Sequence, residues 1–212
     1  VTKETPVLPG FVVLEGLDGA GTTTQLQLIE SKSQEKSLKV WTTFEPTQGP
    51  IGKLIKDILR GEMSVEPKTL AYLFAADRRE HLYMKKTGIT AKCSKGYTVV
   101  SDRYLFSSLA YQSVECGFDF VFHANLEFPL PEHCIYIDVP PDICAKRLAE
   151  RGVKELFDAQ QMQEKIRGFY EKSFVTFDNP GMEFHRIDGS TSINEVFKNV
   201  WSIMKELPMN KV

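Results

Sequence analysis

The chain has 212 residues, 42% hydrophobic and 25% charged, which suits one soluble domain with a full core and a buried ligand site. Its 26 basic and 28 acidic residues leave a net charge of −2, so no basic field marks DNA, RNA or an acidic membrane as a partner. No apolar run reaches the ~20 residues of a membrane span, and the opening VTKETPVLPG has no signal-peptide core.

The first element is the β-branched run FVVLE (11–15), a strand buried on both faces. A glycine-rich turn follows, then the helical segment TTTQLQLIESKSQEK. KVWTTF (39–44) is a second strand, ended by Glu45-Pro46, and PIGKLIKDILRG (50–61) is an amphipathic helix stopped by Gly61. A long helical stretch is expected from about Pro67 to Cys93. YTVVSDRY (97–104) is the third strand; helical pieces around 105–116 and 119–127 lead to the fourth, HCIYIDV (133–139). PPDICAKRLAERG starts with prolines and ends in glycine, as a helix should. A polar helical region at about 155–177, a fifth strand MEFHRID (182–188) and a last amphipathic helix (192–206) complete the chain.

Five strands interleaved with helices predict a three-layer α/β sandwich with a parallel sheet, with ligands beyond the C-terminal strand ends. The glycine-rich turn, Glu45-Pro46, Asp102-Arg103 and Asp138 all fall at such ends. No repeat or linker interrupts the chain, and 1–212 is read as one domain. Cys93, Cys116, Cys134 and Cys144 lack C-x-x-C spacing and are read as reduced thiols of a cytoplasmic protein.

The turn fits the phosphate-loop pattern G-x-x-x-x-G-K-[ST] at Gly16 and Gly21, except that Thr22 stands where the pattern has lysine. Between strand and helix, such a turn aims backbone N–H groups into one concavity at the positive end of a helix dipole. Gly16, Leu17, Asp18, Gly19, Ala20, Gly21, Thr22, Thr23 and Thr24 are the expected cradle for ATP, with the Thr23 hydroxyl on magnesium. The missing ammonium should matter more for rate than for fold, because phosphoryl transfer rests on positioning and electrostatics. Arg103, Arg147, Arg151 and Lys154 are the cations that could fill the gap. A loop that binds without catalysing is the competing reading.

With these residues in hand, the chain resembles the thymidylate kinase family over nearly its whole length. LEGLDGAGTTTQ is similar to that family's phosphate loop, FEPTQGPIGKLIKDIL to its E-P segment, YLFAADRREHL to its base-binding helix and SDRYLFSSLAYQ to its D-R-[YFH] signature. The resemblance implies a P-loop kinase fold and ATP-dependent phosphorylation of dTMP to dTDP with Mg2+. It makes Arg103 and Asp18 the catalytic pair, the arginine reaching donor and acceptor phosphates and the carboxylate facing the acceptor sugar. Asp102 joins Thr23 at the metal, and Arg147 and Arg151 join the donor site.

For the acceptor the resemblance implies Glu45, Pro46 (with a cis peptide bond), Phe74 stacked on thymine and Arg78 on its carbonyl edge. Ser107, Ser108, Tyr111 and Gln112 follow on the next helix, Gln112 reading the amide edge and Tyr111 packing by the sugar. Two places depart from the family pattern. TQGP leaves Thr47 and Gln48 uncertain as ligands, with Lys53 or Arg78 as other sources of charge. The lid segment (about 150–162) carries Lys154 where bacterial relatives place an arginine. A homodimer is implied, as are two rival functions: an impaired nucleotide-binding protein, or a kinase for another nucleotide or nucleoside.

Overall fold

The computed structural model describes residues 5–150, 156–207 and 209. Its centre is a five-stranded sheet of β1 (Val7–Gly16), β2 (Val40–Phe44), β3 (Thr98–Asp102), β4 (Leu130–Asp138) and β5 (Glu183–Asp188). Spatial order is β2-β3-β1-β4-β5 and every pairing is parallel. β1 therefore lies in the middle, and Phe11 to Leu14 are wholly buried, as their unbroken apolar run demands.

Helices cover both faces. α1 (Thr22–Glu35) leaves the loop after β1, while α2 (Pro50–Leu59) packs on α3 (Pro67–Tyr83), which reaches β2 through the hydrogen bond between His81 and Thr43. α4 (Ile89–Cys93), α5 (Leu105–Tyr111), α6 (Ser113–Cys116), α7 (Phe118–Asn125), α8 (Pro141–Glu150), α9 (Leu156–Thr176) and α10 (Ile193–Met204) complete the set. On one face the rings of Tyr136 and Phe184 pack on Phe174 of α9. On the other, α1 lies beside α10, which covers β5.

The expected long helix over 67–93 is broken: α3 ends at Tyr83 and α4 starts at Ile89. Gly88 explains the break, since a Cβ there would lie 2.7 Å from Leu82 O, Met84 N and Met84 O. Its N–H donates to Met84 O at 2.8 Å, closing a tight turn that a larger residue would prise open.

The order places β1 between β3 and β4, so the chain departs to opposite sides of the strand that carries the glycine-rich turn. Such a switch point opens a crevice at the C-terminal strand ends.

Candidate active site

The turn after β1 is built for close approach. Gly19 and Gly21 have φ of 92° and 100°, left-handed values that cost side-chain-bearing residues energy. A Cβ on Gly19 would also come within 2.9 Å of Cys144 O. The first bond of α1 runs from Gln25 N–H to Gly21 O, and no side chain caps the helix start, so its leading amides face the turn's mouth. Leu17 and Ala20 are buried, and Ala20 lines the cleft on the far side of the turn. Thr22 is only 5% exposed.

Two arginines grip this turn. Arg103 Nη1 donates to Gly16 O at 3.0 Å, and its Nη2 meets Asp18 Oδ1 at 2.6 Å. Arg147 donates to Gly19 O at 3.1 Å and to Gly189 O at 3.2 Å. Arg103 follows the last residue of β3 with φ of 72°, a conformation rare for a long side chain. Burial opposes its charge, but the oxygens of Tyr111, Asp18, Tyr170 and Asp102 outweigh that and hold its pKa well above the ordinary arginine value. Arg151 and Lys154 lie outside the described residues, as does part of the expected lid.

The Thr23 hydroxyl donates to Asp102 Oδ2 at 2.6 Å, and Asp102 Oδ1 is buried with no hydrogen-bond partner. An orphaned carboxylate oxygen beside a hydroxyl, both at the phosphate turn, is a hard donor set that suits Mg2+.

Next to the turn opens a cavity of about 200 Å³ lined by Asp18, Glu45, Pro46, Leu59, Phe74, Arg78, Arg103, Tyr104, Ser107, Ser108, Tyr111 and Gln112. Every acceptor residue expected from the sequence lies on its wall, and the Glu45-Pro46 peptide is cis. Gln112 Oε1 is buried there without a partner. Tyr111 accepts the Asp18 N–H at 2.8 Å, so it also steadies the turn.

Arg78 departs from a solvated-face reading: it is 1% exposed and lies over the rings of Tyr104 and Phe128. Its Nε and Nη2 donate to Glu45 Oε2 at 3.0 and 2.7 Å, Nη2 to Ser108 Oγ at 3.0 Å, and Nη1 to Asn125 Oδ1. One of the five guanidinium donors, on Nη1, is left for a ligand. Its charge is matched by Glu45, so Arg78 is a poor source of free charge for an acceptor phosphate. Glu45 also accepts from His81 Nδ1 at 3.1 Å in the tautomer whose Nε2 takes the Thr43 hydroxyl at 2.7 Å. Thr47 is committed within the fold as well. Its N–H and hydroxyl are both held by Asp77, at 2.7 and 2.6 Å, and with Gln48 it lines a separate cavity behind α2 and α3. Lys53 is exposed and lines neither cavity.

Three features were missed in the sequence. Glu15, read only as the end of a strand, is wholly buried and accepts from Tyr104 N, Ser107 Oγ and Tyr170 OH at 2.9, 2.6 and 3.0 Å. Ser107 and Tyr170 in turn accept from Arg103 Nη1 at 3.1 and 3.3 Å, so the carboxylate fixes their hydroxyls and thereby the arginine. Tyr170 comes from α9, read as a generic polar helix. The third is a cleft of about 200 Å³ on the other side of the turn, lined by Gly21, Thr24, Gln25 and Arg147 with Gly189, Thr191 and Ile193. The signal was DGS at the end of the fifth strand, where the strand-end rule applies as at the others.

Burial pushes Glu15 up to about 7 from an ordinary 4.5, against Ser107, Arg103 and Tyr170, which pull it down. Between those values the folded chain holds a proton that the unfolded chain has lost, so stability falls as pH rises through this window. From pH 5 to 8 the fall is expected to be about 2–3 kcal/mol. Urea denaturation at both pH values should show the loss in the parent and not in Glu15→Gln; equal losses in the two would remove Glu15 as the cause.

A family profile, thymidylate kinase, matches residues 14–200, from the last residues of β1 into the second half of α10. The chain belongs to the thymidylate kinase family. Three relatives, each named provisionally as a thymidylate kinase, agree. One from Treponema pallidum is 40% identical over 203 residues, covering 94% of this chain and 97% of its own length. One from Pyrobaculum aerophilum is 40% identical over 198 residues, covering 93% and 97%. One from Aeropyrum pernix is 35% identical over 180 residues, covering 84% and 85%. The cavity beside Arg103 and the cleft beyond Gly21 share the turn between them, with Asp18 lining the first and Gly19, Ala20 and Gly21 the second.

Proposed function

We propose that the chain transfers the γ-phosphoryl group of ATP to dTMP, giving dTDP and ADP. The observation that carries this reading is the position of Arg103, bonded to the phosphate turn at Gly16 O while lining the cavity beside it. The attacking group is a phosphate oxygen, already largely deprotonated at neutral pH because a phosphate monoester has its second pKa near ~6. No general base is required. The task is to hold two anions that repel each other in line, and a planar guanidinium fork between them does that.

The amides of the turn and of the α1 start bind donor phosphates, and the cleft by Gln25, Arg147 and Thr191 takes the donor nucleoside. Phe74 stacks on the acceptor base, the free Nη1 donor of Arg78 and the unpartnered Oε1 of Gln112 read its edge, and Asp18 meets the sugar hydroxyl. Thr23 and Asp102 would hold Mg2+, which supplies charge neutralisation on the phosphates when bound. Every side chain named here works by placement, so loss of the motif's lysine leaves a reduced but complete set of cations.

The unpaired state of all four cysteines supports a reducing compartment such as the cytoplasm. No helix among the described residues is long and apolar enough to cross a membrane. Leu59, Met63, Tyr72, Tyr83 and Met84, exposed large apolar residues on or beside α2 and α3, support a homodimer formed through those helices.

The acceptor is tested by coupled ADP release with dTMP, dUMP, dCMP and thymidine. dTMP should give the highest kcat/KM. dUMP should fall at least ~10-fold below it, the worth of one methyl group in a fitted pocket. Thymidine, which offers no anion to Arg103, should give no turnover. A preference for thymidine would make the chain a nucleoside kinase, and binding of ATP and dTMP without turnover would make it an impaired relative.

A further inference from the structure

β4 and β5 carry a second cluster of chemistry-bearing side chains, away from the phosphate turn. His133 is paired in register with Glu183, and His185 lies two residues beyond Glu183 on β5. Side chains alternate between the faces of a strand, so all three project from the same face, the one covered by α10. His133 Nδ1 and His185 Nε2 are 3.0 Å apart, and Glu183 Oε2 is 3.7 Å from each.

A triangle with those sides has a point about 2.0 Å from all three corners, the length of Zn–N and Zn–O bonds (roughly 2.0–2.2 Å). Two imidazoles and one carboxylate form a donor set that binds borderline divalent ions and leaves a fourth position open. We propose that His133, His185 and Glu183 bind a divalent first-row transition metal ion, zinc above all, that clips the edge strand β5 to β4.

The two rings lie 19° from coplanar with centroids 5.3 Å apart, so the facing nitrogens share one hydrogen bond. Metal binding moves that hydrogen to the other nitrogen of its own ring and needs both rings to turn toward Glu183, each by about 40° from the line joining the two nitrogens. Burial and the neighbouring His133 hold the pKa of His185 below its ordinary value, against the carboxylates of Glu183 and Glu206, which favours the neutral ligand form. His133 is nearly buried while Glu183 is 65% exposed, so the ion would enter from the Glu183 side.

The site is not the magnesium position. Five residues of strand, ~16 Å, separate His133 from Asp138 at the end where the phosphate turn lies. A hard ion such as Mg2+ prefers oxygen donors, and two nitrogens select against it.

Calorimetric titration of ZnCl2 alone into chelator-stripped protein tests this. One zinc per chain is expected, with a rise in melting temperature that Mg2+ does not reproduce. His185→Ala, at a half-buried position that should fold normally, is expected to weaken zinc binding at least ~100-fold and abolish the melting shift, while leaving turnover with dTMP unchanged. Glu183→Gln should weaken binding less. His133→Ala should match His185→Ala in affinity, whatever it costs in stability. Absence of zinc binding by the parent would overturn the proposal, and so would a stoichiometric zinc that survives His185→Ala, which would point to the thiols or to the magnesium position.

Discussion

Replacing Arg103 by alanine is expected to lower kcat at least ~100-fold, the scale of losing one donor to a developing transition-state charge. The cost in folding should come from the hydrogen bonds of Arg103 to Gly16 O, Ser107 Oγ and Tyr170 OH, about 1 kcal/mol each, rather than from its charge. Its ion pair with Asp18 joins side chains 20% and 50% exposed, and such pairs contribute about 0–1 kcal/mol. The positive φ at position 103 is equally awkward for alanine, so backbone strain does not change. The loss should therefore be kinetic, with both substrates still bound. Arg103→Lys would keep the charge without the fork and should recover only part of the rate. Steady-state kinetics with both variants decide the matter, and an alanine variant within a few-fold of the parent would take Arg103 out of its role.

Arg78 is expected to behave in the opposite way, with stability lost along with acceptor binding. Removing it leaves the Glu45 carboxylate, 3% exposed, without its cation, and breaking such a pair costs about 3–5 kcal/mol. For a chain of this length that lowers the melting temperature on the order of 10 °C. Arg78→Met keeps the volume between Tyr104 and Phe128 but removes the charge, and adding Glu45→Gln should restore a large share of the loss. The acceptor KM should stay raised in the double variant, since the free Nη1 donor is gone either way. A double variant no more stable than Arg78→Met would show that the pair is not what holds this corner together.

The contrast between these arginines indicates what was legible in the sequence. All five strands could be placed because parallel strands buried on two faces read as short apolar runs, and the site could be placed because polar residues cluster where those runs end. The acceptor wall came from the resemblance, whose base-binding helix and D-R-[YFH] signature brought in Phe74, Arg78, Ser107, Ser108, Tyr111 and Gln112, and these residues do line one cavity. What could not be read was which polar groups are already spent on one another. Both arginines make four hydrogen bonds, yet Arg78, held by Glu45, Ser108 and Asn125 from 30 to 47 residues away, is buried, while the Arg103 side chain keeps 20% of its surface open. Glu15 was hidden for the same reason, since its partners Ser107 and Tyr170 lie 92 and 155 residues on. The break at Gly88 was a local signal overlooked, because a single glycine in a helical pattern is often tolerated.

The central claim is that a phosphate loop with threonine in the lysine position still drives transfer. The most direct measurement follows label from γ-32P ATP in quenched reactions with Mg2+ and dTMP. The account predicts labelled dTDP that accumulates over many turnovers, requires dTMP and nearly vanishes in Arg103→Ala. Saturating binding of both nucleotides with no label passing to dTDP would contradict it.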